Sequence, residues 1–159
     1  MSRIWIGVVA AIAASAAASA SLSQHQHMHA QGGPAPADTR EFVRFPPEMV
    51  EHTLANMRDH LAALQEIQEN LSKGATDAAA KIAESRLGMS SLAAHGAADV
   101  APFMPQGMQD AGTGMHHAAS RFAIAATDAG VSGDLKPALA ALAEITAQCN
   151  ACHSGYRIR

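Results

Sequence analysis

Aromatic residues make up only 4% of this 159-residue chain, with one tryptophan and one tyrosine, and β-branched residues are sparse. Scarcity of both disfavours sheet, while abundant alanine favours helix. Charged residues are few, at 16%, and form no basic run or stripe. That argues against nucleic acid or an anionic membrane surface as partner. With only two cysteines, a four-thiolate zinc site is excluded. No internal repeat and no alternating strand pattern is present.

Both cysteines fall in one short stretch, Cys149-Asn150-Ala151-Cys152-His153. A C-x-x-C-H spacing reads as a c-type haem attachment site. Two thiols add across the haem vinyl groups as thioethers, and the adjacent imidazole ligates the iron. On a helix, Cys149 stands at i, Cys152 at i+3 and His153 at i+4, so all three share one face. Two rival readings remain. A Cys2His2 zinc site could recruit two distant histidines, and a redox dithiol would want a βαβ context that is missing here.

The N-terminus fits an exported protein. Arg3 leads a small and apolar run from Ile4 to Ala18, and Ala18-Ser19-Ala20 is an A-x-A cleavage pattern. Residues 1–20 therefore read as a signal peptide, with an uncleaved anchor as the rival. A second possible cut follows Ala30. In bacteria c-type haem is attached outside the cytoplasm, so the expected compartment is the periplasm, with no membrane contact after cleavage. A disulfide between the two cysteines would close only a tiny loop and stabilise little. Cleavage after Ala20 leaves ten Lys and Arg against fourteen Asp and Glu, a mildly acidic chain.

Residues 21–45 read as a flexible leader, punctuated by Gly32, Gly33, Pro34 and Pro36. Its His25, His27, Met28 and His29 could hold copper or zinc, or simply belong to a polar tail. A folded domain is expected over 46–159. Pro47 opens a first helix, on which Val50, Leu54, Met57, Leu61, Leu64 and Leu71 form an apolar stripe that ends at Lys73-Gly74. Thr76 or Asp77 can cap a second helix, with Ala80, Ala83, Leu87 and Leu92 inward. From His95 to Gly114 prolines and glycines suggest one long connection. A third helix is expected from about Thr113 to Gly130. A fourth follows Ser132-Gly133-Asp134 and carries Leu135, Leu139, Leu142 and Ile145 towards the haem motif. The sum is an all-α four-helix bundle with a cofactor between facing helices.

A C-x-x-C-H on the last helix followed by Tyr156-Arg157 resembles the class II cytochromes c, the cytochrome c prime family. Gly133-Asp134-Leu135 at the start of the fourth helix, and Met57 three residues before His60, also look like the family pattern. The resemblance covers roughly residues 46–159. It implies an antiparallel four-helix bundle with covalent haem c on the C-terminal helix. Homodimers through the first two helices are also implied. Cys149 and Cys152 would be the thioether anchors, His153 the proximal ligand and Arg157 the basic residue near it.

The other face of the iron divides the family. Alignment on Met57 and His60 puts Leu54 at the distal position, where an apolar plug leaves five-coordinate iron open to NO or CO. Met57 lies one turn on and could supply a thioether, giving six-coordinate iron of raised potential. Met49, Met89, Met104, Met108 and Met115 are further thioethers, though methionine is also an adaptable core filler. His52, His60, His95, His116 and His117 are other possible ligands. His116 and His117 are adjacent and face different ways. The expected function is a periplasmic electron carrier working with a redox partner protein. The alternative is a haem protein that binds a small gas. A haem enzyme would want a distal acid–base pair, and none can be read from the sequence.

Overall fold

Described over residues 37–159, the structure is a computed structural model. The expected signal peptide at 1–20 and the His25–His29 cluster lie outside the described residues. Five α-helices account for most of the described chain: α1 Pro47–Ser72, α2 Thr76–Arg86, the one-turn α3 Ala97–Val100, α4 Gln106–Ser132 and α5 Lys136–Gly155. Two short strands, β1 Glu41–Phe42 and β2 Tyr156–Arg157, pair in parallel. The protein is all-α in class. Among the described residues no helix is long and apolar enough to cross a membrane.

Local chemistry sets most helix ends. Pro47 occupies the first turn of α1, where a missing N–H costs nothing. Gly74, at φ 71°, ends it in the left-handed region, with its N–H donating to the Leu71 carbonyl. Gly133, at φ 76°, ends α4 in the same way. Asp134 then accepts from the Lys136 N–H at 3.0 Å and starts α5. α2 begins without a side-chain cap, so neither Thr76 nor Asp77 plays the expected part; Thr76 is buried inside the first turn instead.

Long helices share one core. Leu64, Ile67 and Leu71 of α1 meet Ala79, Ala83 and Leu87, then Ala118, Ala119, Phe122 and Ala126 of α4, and Ala138 and Ile145 of α5. Extensive packing runs from α1 to α2, from α2 to α4 and from α4 to α5. Arg86 adds a clasp between α2 and α1, reaching Glu66 at 2.7 Å and both the carboxylate and the carbonyl of Asp59. Expected core residues Leu61 and Leu139 are instead 71% and 51% exposed. Leu61 lines an open cavity between the helices, and Leu139 sits at the edge of its apolar stripe, beyond the arc that the neighbouring helices cover.

The largest departure from expectation is the start of α4. It begins at Gln106, directly after Pro105, so Gly107, Gly112 and Gly114 lie inside a helix and not in a connection. Each glycine costs about 1 kcal/mol of helix propensity relative to alanine. Close packing explains two of them. A Cβ on Gly107 would collide with the Tyr156 hydroxyl, and one on Gly114 would lie 2.8 Å from Gln148 Oε1. Further along, a Cβ on Gly130 would lie 2.5 Å from Thr76 Oγ1.

The folded domain also begins earlier than residue 46. β1 pairs Glu41 with Tyr156 and Phe42 with Arg157. Val43 is buried and its N–H donates to the Arg157 carbonyl at 2.8 Å. Asp38 pairs with Arg40 at 2.7 Å and with Arg157 at 3.5 Å. The end of the expected leader is thus part of the fold.

Phe122 is fully buried at the centre of the core. Phe122→Ala should lower unfolding free energy by about 3–5 kcal/mol. Ile124→Ala, at a site 66% exposed on the same helix, should change it by less than about 0.5 kcal/mol. Denaturant titration of both variants measures the contrast.

Candidate functional site

α1 makes its extensive contacts with α2, so a space is left between α1 and the α4–α5 pair. It is an open cavity of about 680 Å³, within the ~300–1,000 Å³ of small-molecule and cofactor sites. Its walls are mostly apolar. Leu54, Met57 and Leu64 come from α1, Leu92, Val100 and Met104 from the α2–α4 connection, and Met108 and Met115 from α4. Gly112 also lines it, and a Cβ there would meet nothing within 4 Å.

The sequence motif converges on this cavity. Cys149, Cys152 and His153 all line it, as one turn of α5 requires of residues at i, i+3 and i+4. Both thiols are free and half-buried. Burial pushes the Cys149 thiol up, and burial with the Cys149 neighbour does the same for Cys152. His153 is exposed at the cavity edge, and its carbonyl accepts from Arg40 Nη1 at 3.3 Å.

Leu54 and Met57 line the cavity from α1, together with Met104, Met108 and Met115 from the connection and α4. Met49 and Met89 are not part of the wall. Neither is Arg157, expected beside His153. Its guanidinium lies 5.0 Å from the Phe42 ring centroid and reaches Asp38, where the pairing of β1 with β2 holds it.

One feature was invisible in the sequence: three histidines far apart along the chain meet at the wall. The ring centroids of His60 on α1 and His95 in the α2–α3 connection are 4.6 Å apart. His116 on α4 lies 5.4 Å from His95 and 6.3 Å from His60. Of the adjacent pair, His116 is buried and His117 exposed. His116 Nδ1 is 2.7 Å from the Leu87 carbonyl, so this nitrogen carries the proton and donates, leaving Nε2 as acceptor. The His95 carbonyl accepts from His52 Nε2 at 2.9 Å and from Asn56 Nδ2 at 3.0 Å, which pins the connection to α1. His60 Nε2 is buried without a hydrogen-bond partner.

Electrostatics favour the neutral form of His60 and His95. Burial, then the His95 and His116 imidazoles, push His60 down to about 4. Burial and His116 likewise lower His95. Arg86 holds the Asp59 carboxylate well below its ordinary range, so Asp59 remains an anion beside the cluster.

No family model, curated protein or solved structure matches the chain.

The His60 shift has a pH consequence. Its folded value of about 4 lies below the ~6.5 of an unfolded histidine, so the unfolded chain takes up the proton first. Its contribution is fully present above about pH 6.5 and is lost as pH falls towards 4. The loss should reach at most about 3 kcal/mol. His60→Phe, which keeps a ring but cannot be protonated, should flatten the fall in unfolding free energy between pH 7 and pH 4.5.

Proposed function

We propose that the protein is a class II c-type cytochrome exported to the periplasm. In this reading it carries single electrons on one haem c linked to Cys149 and Cys152, with His153 as proximal ligand. The observation that supports it best is the cavity itself. The three motif residues stand on its α5 wall, and Leu54 and Met57 stand on its α1 wall.

The long helices α1, α2, α4 and α5 are then an antiparallel four-helix bundle. Links of three residues, at 73–75 and 133–135, suit antiparallel neighbours. The residues present fit the group. Two neutral thiols and an imidazole share one helical face, the surrounding wall is apolar, and Gly112 keeps a side chain out of the space. When bound, haem c supplies a one-electron iron couple whose potential its surroundings set.

The chain's own residues do the rest. Cys149 and Cys152 fix the orientation of the group relative to α5. Leu54, Leu64, Leu92 and Val100 exclude water, which lowers the local dielectric. Met57 offers a thioether from α1, and Met104, Met108 and Met115 place further thioethers on the same wall. That concentration of sulfur favours the electron-carrier reading, because methionine ligation raises the potential and fills the gas site. A redox protein is the expected partner. A homodimer through α1 and α2 is the other assembly this reading implies.

Met57→Ala tests the carrier reading. It should convert a low-spin haem into a high-spin form that binds CO readily, with a fall in potential. A wild-type haem already high-spin and five-coordinate would instead make the protein a gas binder with Leu54 as distal plug. Leu54→Ala should then raise CO affinity. Absorption spectra of the oxidised, reduced and CO-treated protein distinguish the cases.

A further inference from the structure

We infer that His60, His95 and His116 form a second metal site, for a late first-row divalent ion such as Zn²⁺, on the wall of the cavity. This goes beyond the haem reading and does not depend on it.

The donor type comes first. Three imidazoles from α1, the α2–α3 connection and α4 stand together, and nitrogen donors suit Zn, Cu and Ni over Mg or Ca. Metal–nitrogen bonds of ~2.0–2.1 Å put the rings of two imidazoles on one ion roughly 5 Å apart. The observed separations of 4.6, 5.4 and 6.3 Å lie around that spacing.

His116 carries the outer-shell partner that a metal-bound histidine usually has. Its Nδ1–H donates to the Leu87 carbonyl, which fixes the tautomer and leaves Nε2 free as a donor atom. His60 Nε2 is the second pointer. A buried nitrogen without a partner is costly to leave unpaired, and an ion would satisfy it.

The nitrogens do not yet converge. Among the described residues no group of three or more His, Cys, Asp or Glu is preformed to hold a metal ion. The adjustment is small in kind, since the ring torsion of histidine is broad. Turning His60 also breaks no hydrogen bond at Nε2. Asp59 is engaged by Arg86, so the set is imidazole only. An ion here would tie α1 to α4, two helices that otherwise meet little.

The rival account is aromatic packing, in which the rings fill space and bind nothing. Zinc titration calorimetry on the full chain as isolated, with whatever haem it carries, separates the two. The leader histidines His25, His27 and His29 are first changed to alanine to remove competing ligands. The expected result is one Zn²⁺ per chain. His60→Phe, which preserves ring packing, and His95→Ala should each weaken binding at least tenfold. His117→Ala, at the exposed neighbour of His116, should leave it unchanged. Should His116→Ala fail to fold, the first two variants carry the test. X-ray absorption should count three imidazole nitrogens on the zinc. Absence of stoichiometric binding, or binding that survives both His60→Phe and His95→Ala, would overturn the site. Haem content, read by absorbance on the same samples, reports separately on the cytochrome reading.

Discussion

The close seating of α4 against its neighbours is the constraint from which the rest of the structure follows. Alanines at 118, 119 and 126, with glycines at 114 and 130, give α4 a surface poor in side chains where it meets α2 and α5. Small residues let helix axes approach towards the near end of the usual range of about 8–10 Å, and large ones hold them at its far end. Bulk then collects elsewhere. Leu64 and Ile67 carry α1 into the core at its C-terminal half, while its N-terminal half stands away from α4 and α5. The cavity occupies that separation, and one turn of α5 faces it with both cysteines and a histidine.

How legible this was depends on the range of the interaction behind each feature. That Cys149, Cys152 and His153 share one wall was legible, because residues at i, i+3 and i+4 of a helix fall on one face within one turn. The limits of α1 were legible for a similar reason: Pro47 and Gly74 act on their own backbone. The start of α4 was not. Gly107, Gly112 and Gly114 look like loop punctuation, yet two of them answer to Tyr156 and Gln148, more than thirty residues away. Likewise, a two-residue strand pair has no period to detect, so the contribution of Glu41, Phe42 and Val43 shows only when β2 lies beside them.

The histidine cluster marks the same limit. His60, His95 and His116 belong to three elements, and although each was a possible ligand by residue type, nothing local in the sequence marks them as neighbours. Their proximity comes from the hold of α1 on the α2–α3 connection, where His52 and Asn56 both donate to the His95 carbonyl. Burial favours the neutral form of His60 and His95, and a neutral imidazole is the form that can donate a lone pair. On the proposed reading the cavity wall thus has two kinds of donor. Thioethers and the α5 motif face the large space, and imidazoles gather at one side of it.

The central claim is that Cys149 and Cys152 are consumed in holding a haem. Denaturing intact-mass measurement on the chain recovered from the periplasm tests it most directly. The account predicts a single species that begins at Ser21, carries the added mass of one haem, and has no thiol open to alkylation. A chain of unmodified mass, with both cysteines alkylated and any colour lost on denaturation, would contradict it.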